Sequence, residues 1–187
     1  MAVRQLRRRG RAPRLCEPIA LGVAHVRLEL RRHVFAPPSV VWDVLTDWER
    51  QAAWMQDALS VRVVGAQREG VGVRIVCPTD LFGVIVEDRM VVTGWEPPVR
   101  LAVRHVGRVI TGDAAFILEP TPVGTLVVWE EDVDPPLGVL GELGARIVVR
   151  PYARRLFERG LDAFAALCEG DQNRPFVPTA DGPDRAP

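Results

Sequence analysis

Two ionisable side chains, His105 and Glu131, fall on what the sequence reads as the inner face of a β-sheet. An imidazole and a carboxylate that face one interior can divide a proton transfer, one as base and the other as acid. Their strands are expected to be separated by one strand and displaced by two residues. With strands ~4.8 Å apart and a rise of ~3.3 Å per residue, the backbones should lie on the order of 12 Å apart. That distance is too great for a direct hydrogen bond and suits action on opposite ends of a bound molecule. Other chemistry is thinly represented. The serines are Ser39 and Ser60, and neither sits in a G-x-S-x-G context. Cys77 lies near a strand end with no candidate partner. The chain has no lysine, which excludes Schiff-base catalysis and a P-loop. His25, His33 and His105 form no HExxH or HxH pattern, so neither a metal nor another cofactor is expected.

A chain of 187 residues is long enough for one domain with tails, and 48% hydrophobic residues supply a sizeable core without staples. The formal net charge of zero gives no overall field towards nucleic acid or an anionic membrane. Six arginines crowd the first fourteen residues, from Arg4 to Arg14, and residues 1–23 are expected to be a disordered basic extension. Glu17, Pro18 and His25 interrupt the weak apolar stretch behind them, unlike a secretory signal. No apolar run is long enough to span a bilayer. Cys16, Cys77 and Cys168 are far apart and odd in number, which favours free thiols and a cytoplasmic setting. Residues 170–187 read as a second disordered tail, and the folded domain is expected at 24–169.

The elements that must position His105 and Glu131 follow from periodicity. Val26, Leu28, Leu30 and Val34 alternate with His25, Arg27, Glu29, Arg31 and His33, the pattern of a half-buried strand. Pro37 and Pro38 stop it and open a short helix carrying Val40, Val41, Val44 and Leu45. Asp47 is placed to cap a second short helix. Trp42, Trp48 and Trp54 in this region are either an aromatic ligand mouth or packing residues. From Leu59 onward, turn signals separate six further strands joined by short loops. Pairing Glu119 with Gly124, and Val106 with Val109, puts Leu101, Val103, His105, Ile110, Gly112, Ala114, Phe116, Val127, Trp129 and Glu131 on one face. Gly112 would then lie between Val103 and Glu131, where it leaves interior space or marks a bulge. The phase of the strand Phe82 to Gly94 is ambiguous, so either Asp88 or Arg89 points inward. A closing helix over Leu137 to Glu169, kinked at Pro151, presents Phe157, Leu161 and Phe164 on its apolar side. Gly138, Gly141 and Gly144 weaken its start and suggest a mobile lid at Leu137 to Ala145.

This order resembles the START/Bet v 1-like (SRPBCC) superfamily. The motifs that carry the likeness are FAPPSVVWDVLTDWERQAAW, GVGVRI, WEPPVRLAVRHVG and FILEPTPVGTLVVWEEDV, within Arg27 to Cys168. They look most like the bacterial polyketide cyclase/dehydrase and lipid-transport branch. The resemblance implies an α+β helix-grip fold: a seven-stranded curved antiparallel sheet around a long C-terminal helix, with two short helices after the first strand. It also implies a cavity between sheet and helix, lined by Leu101, Val103, Gly112, Ala114, Phe116, Val127, Trp129, Trp54, Phe157, Leu161 and Phe164. Members bind lipids, sterols, quinones or polyketides, and some catalyse cyclisation or dehydration. Three functions stay open at this point. The first is carriage or sensing of an apolar small molecule. The second is a cofactor-independent cyclase or dehydratase using His105 and Glu131. The third is a module that binds a protein partner through the arginine-rich N-terminus or an exposed helical face.

Overall fold

The computed structural model describes residues 26–81, 83–134 and 150–171. The first strand, β1 (Val26–Val34), buries Leu28, Leu30 and Val34 and exposes Arg27, Glu29 and Arg31, as a period of two requires. Helix α1 (Pro38–Thr46) follows, with Pro37 extended just before it and Pro38 at its first position. Proline is tolerated there because the first helical N–H groups have no intrahelical acceptor. Val41, Trp42, Val44 and Leu45 form its buried stripe. A 3₁₀ helix (Trp48–Ala53) comes next, and the Asp47 side chain makes no capping hydrogen bond to it, contrary to expectation. The Gln51 amide instead donates to the Leu45 carbonyl at 2.7 Å and staples the two short helices together.

Six strands complete the sheet: β2 (Arg62–Val64), β3 (Arg74–Leu81), β4 (Val84–Glu96), β5 (Arg100–Val106), β6 (Thr111–Thr121) and β7 (Gly124–Asp134). The order across it is β1-β7-β6-β5-β4-β3-β2, and every described pairing is antiparallel. The curved sheet grips helix α2 (Arg150–Asp171), giving the expected helix-grip architecture. Pro151 lies in the first turn of α2 as described. The expected kink there, the lid at Leu137 to Ala145, the N-terminal tail and the C-terminal tail after Asp171 rest on residues outside those described, while Gly170 and Asp171, expected in that tail, belong to α2.

Two hairpin registers differ from the sequence expectation, each by two residues. Thr121 pairs with Gly124 across a tight Pro122-Val123 turn, so Ala114 faces Glu131 and Phe116 faces Trp129. The β5–β6 connection is longer than expected, and His105 faces Gly112 rather than Ile110. A shift of two preserves which face each side chain occupies. Both shifts run the same way, so His105 and Glu131 keep the expected backbone offset.

Gly112 therefore lies between His105 and Val133, not between Val103 and Glu131. It opens no interior space. It has φ +134°, and a Cβ built there would strike the Asp132 carbonyl oxygen and lie 2.7 Å from Val133 Cα. Glycine is required because β7 crosses close against β6 at this point. Gly112→Ala should destabilise the fold by ~2–4 kcal/mol, read as a lowered urea midpoint with an unchanged slope.

Candidate functional site

An aromatic partition divides the interior. Trp54, fully buried, meets Phe116 and Trp129 edge-on at 6.0 Å each and Phe164 at 4.9 Å. Phe116 stacks on Trp129 at 4.9 Å, and Trp129 reaches Phe157 of α2 at 4.7 Å. Such pairs add cohesion beyond the area they bury. On one side lies buried core around Val34, Leu45, Leu118 and Val127. On the other lies a cavity of about 430 Å³, walled mainly by apolar side chains of the sheet, the 3₁₀ segment and α2.

The partition sorts the expected pocket residues. Leu101, Val103, Ala114 and Phe116 line the cavity from the sheet, together with Trp129, Trp54 and Phe157. Val127, Leu161 and Phe164 do not: they are 0%, 2% and 0% exposed in the core, with Phe164 backing Trp54 on the side away from the cavity. Gly112 is excluded by its close approach to β7. Trp42 and Trp48 pack on Trp95, at 5.1 and 6.2 Å, and Trp48 also borders the cavity.

His105 and Glu131 both reach the cavity wall. The expectation that they act on opposite ends of a ligand is not met. Their side chains lean towards each other across β6, until Nε2 of His105 and Oε2 of Glu131 are 3.8 Å apart. That is longer than a hydrogen bond but spans only one bridging atom.

A third member was left undecided by the sequence. Asp88 of β4 points inward and accepts from His105 Nδ1 at 2.9 and 3.1 Å, while Arg89 points out. The phase is concealed by a bulge between Val92 and Gly94, after which Trp95 rather than an even-numbered residue faces the core. The run Val86, Asp88, Met90, Val92 carries the correct alternation and could have resolved it. The wall also includes Leu156, on the apolar side of the closing helix, and Ile75 and Met90, which sequence reasoning did not single out.

The electrostatics follow from burial. The three site side chains are each 9% exposed or less. Desolvation pushes the Glu131 carboxyl up to about 7, despite the opposing charge of His105 and the 2.9 Å hydrogen bond that its Oε1 accepts from Trp129 Nε1. For His105, burial works against the charged ring. The Asp88 hydrogen bond and the charges of Glu131 and Asp88 outweigh it, and its pKa rises. Desolvation likewise raises Asp57, also on the wall. Cys77 is pushed up to about 11, chiefly by burial, so its thiol is a poor nucleophile. Among the described residues, no group of three or more His, Cys, Asp or Glu could hold a metal ion.

One array therefore offers a fixed imidazole, a carboxylate behind it, and a second carboxyl facing it that titrates near neutrality. It can take a proton from, or give one to, a molecule in the cavity. The raised carboxyl also has a stability signature. The folded chain holds the Glu131 proton more tightly than the unfolded chain, so this contribution is present below 4.5 and is lost as pH rises through about 7. Glu131→Gln should gain stability over the unmodified protein by on the order of 1–3 kcal/mol above that pH and little near pH 4.5, measured by urea denaturation across pH.

Comparison with solved structures finds the same fold at low identity. A protein of Thermus thermophilus (TTHA0849) superposes with a TM-score of 0.69 and 19% identity, over 79% of this chain and 100% of that one. The Zhui aromatase/cyclase from Streptomyces sp. R1128 gives 0.67 and 19%, over 80% and 96%. The di-domain ARO/CYC StfQ from the steffimycin biosynthetic pathway gives 0.66 and 16%, over 81% of this chain and 53% of that one. No curated protein matches the chain in sequence. The model of one family, polyketide cyclase/dehydrase and lipid transport, matches residues 25–169, and the chain belongs to that family.

Proposed function

We propose that this chain binds an apolar small molecule of the polyketide or lipid class in the cavity between sheet and α2. The observation that carries the reading is the cavity itself: about 430 Å³ of space behind an apolar wall, within the range of small-molecule sites. Family membership and the aromatase/cyclase neighbours support the ligand class. No helix among the described residues is long and apolar enough to cross a membrane.

A second reading is favoured by the array of Asp88, His105 and Glu131. A carrier has no need of a buried, oriented imidazole opposite a carboxyl that titrates near neutrality. In this reading the chain is a cofactor-independent cyclase or dehydratase. Asp88 holds the ring, His105 takes a proton from the substrate, and Glu131 delivers one to the departing or newly formed oxygen. Such acid–base steps need no metal or nucleophile.

Native mass spectrometry of the protein purified from its own host should show a copurified apolar molecule. Val103→Phe, which intrudes on the cavity, should weaken its binding by ~10-fold or more. Retention of the same ligand at full affinity in that variant would place binding elsewhere. On an identified polyketide substrate, His105→Ala and Glu131→Ala should each slow turnover by ~10²–10⁴. Unchanged turnover in both would leave only the binding role.

A further inference from the structure

Nε2 of His105 is buried and has no hydrogen-bond partner, an arrangement that is costly unless something completes it. Nδ1 is already committed to Asp88, so the ring cannot turn away. Oε2 of Glu131 stands 3.8 Å from Nε2, beyond hydrogen-bond reach, and the other oxygen of that carboxyl is held by Trp129. One proton shared between Nε2 and Oε2 always leaves one donor and one acceptor facing each other across the gap. Either the ring donates and the carboxylate accepts, or the carboxylic acid donates and the ring accepts. A hydroxyl is donor and acceptor at once. Its oxygen can lie about 2.8 Å from both atoms, beside the line that joins them. A carbonyl or ether only accepts and would leave one of the two unmet.

Charge points the same way. Among the described residues lining the cavity, His105 is the one basic side chain, and the acids are Asp57, Asp80, Asp88 and Glu131. Among the described residues no arginine reaches the wall, and the chain has no lysine. The positive charge His105 can carry is already faced by Asp88. Among the described residues, an anion entering the cavity therefore finds no unclaimed cation to replace its lost hydration.

We propose that this cavity recognises an uncharged hydroxyl, alcohol or phenol, on an otherwise apolar ligand, seats it between Nε2 of His105 and Oε2 of Glu131, and rejects the matching carboxylate. The inference rests on the ligand-binding reading above and adds the polar end of the ligand.

Calorimetric titration at neutral pH with 2-naphthol, naphthalene and 2-naphthoate tests it, because the three share one apolar body. Naphthol should bind roughly 10-fold or more tighter than naphthalene, because it completes buried partners. It should exceed naphthoate by roughly 100-fold or more, because the anion enters unpaired. In Glu131→Gln the naphthol-to-naphthoate ratio should narrow by ~10-fold, since one wall charge is gone. Naphthoate binding as tightly as naphthol, or naphthol no tighter than naphthalene, in the unmodified protein overturns the proposal while leaving the cavity a binding site. If none of the three binds, the ligand-binding reading itself falls, and this inference falls with it.

Discussion

Everything in this domain is arranged around the contact of Trp54 with Phe116, Trp129 and Phe164. One indole, delivered by the segment after the 3₁₀ helix, joins the sheet to the C-terminal helix at mid-height. Beside it, Val34, Val41, Leu45, Leu118, Val127 and Cys168 are buried in one cluster, and their burial supplies much of the hydrophobic stabilisation. Above it, small and medium side chains such as Ala114 and Val103 leave the space unfilled. The fold can tolerate an empty region because a complete core lies next to it. The boundary also explains why three expected pocket residues are core residues. Their inward orientation was right, but depth along the strand or helix decides whether an inward side chain meets a cavity or a neighbour.

The fold was legible because its signals are local. The alternation in β1, the prolines before α1 and the turn residues between strands each act within a few positions. Family-level motifs lie in the same strand ends and turns. Exact register was not legible, since it depends on where two hairpins close. Pro122-Val123 makes a tighter turn than the composition suggested, and residues 107–110 make a looser one. The face survived because both displacements are even.

The site was half legible. His105 and Glu131 stand out as ionisable groups in an apolar pattern, and both reach the wall. What could not be read was their convergence. Backbone spacing sets an offset, but the two long side chains span it, and their tips come to 3.8 Å. Asp88 was obscured for a different reason. A bulge at Thr93 reverses the alternation partway along β4, so no single period fits the whole strand. A reading that allowed one phase break would have placed Asp88 beside His105.

Trp129 has one further consequence. Its ring is part of the aromatic wall, while its indole N–H holds the carboxyl that titrates near neutrality. Indole emission responds to charge at the ring and to quenching by nearby groups. The same residue that closes the core thus acts as a built-in optical gauge. A change of protonation or occupancy next door should register as a change of colour or brightness, with no label attached.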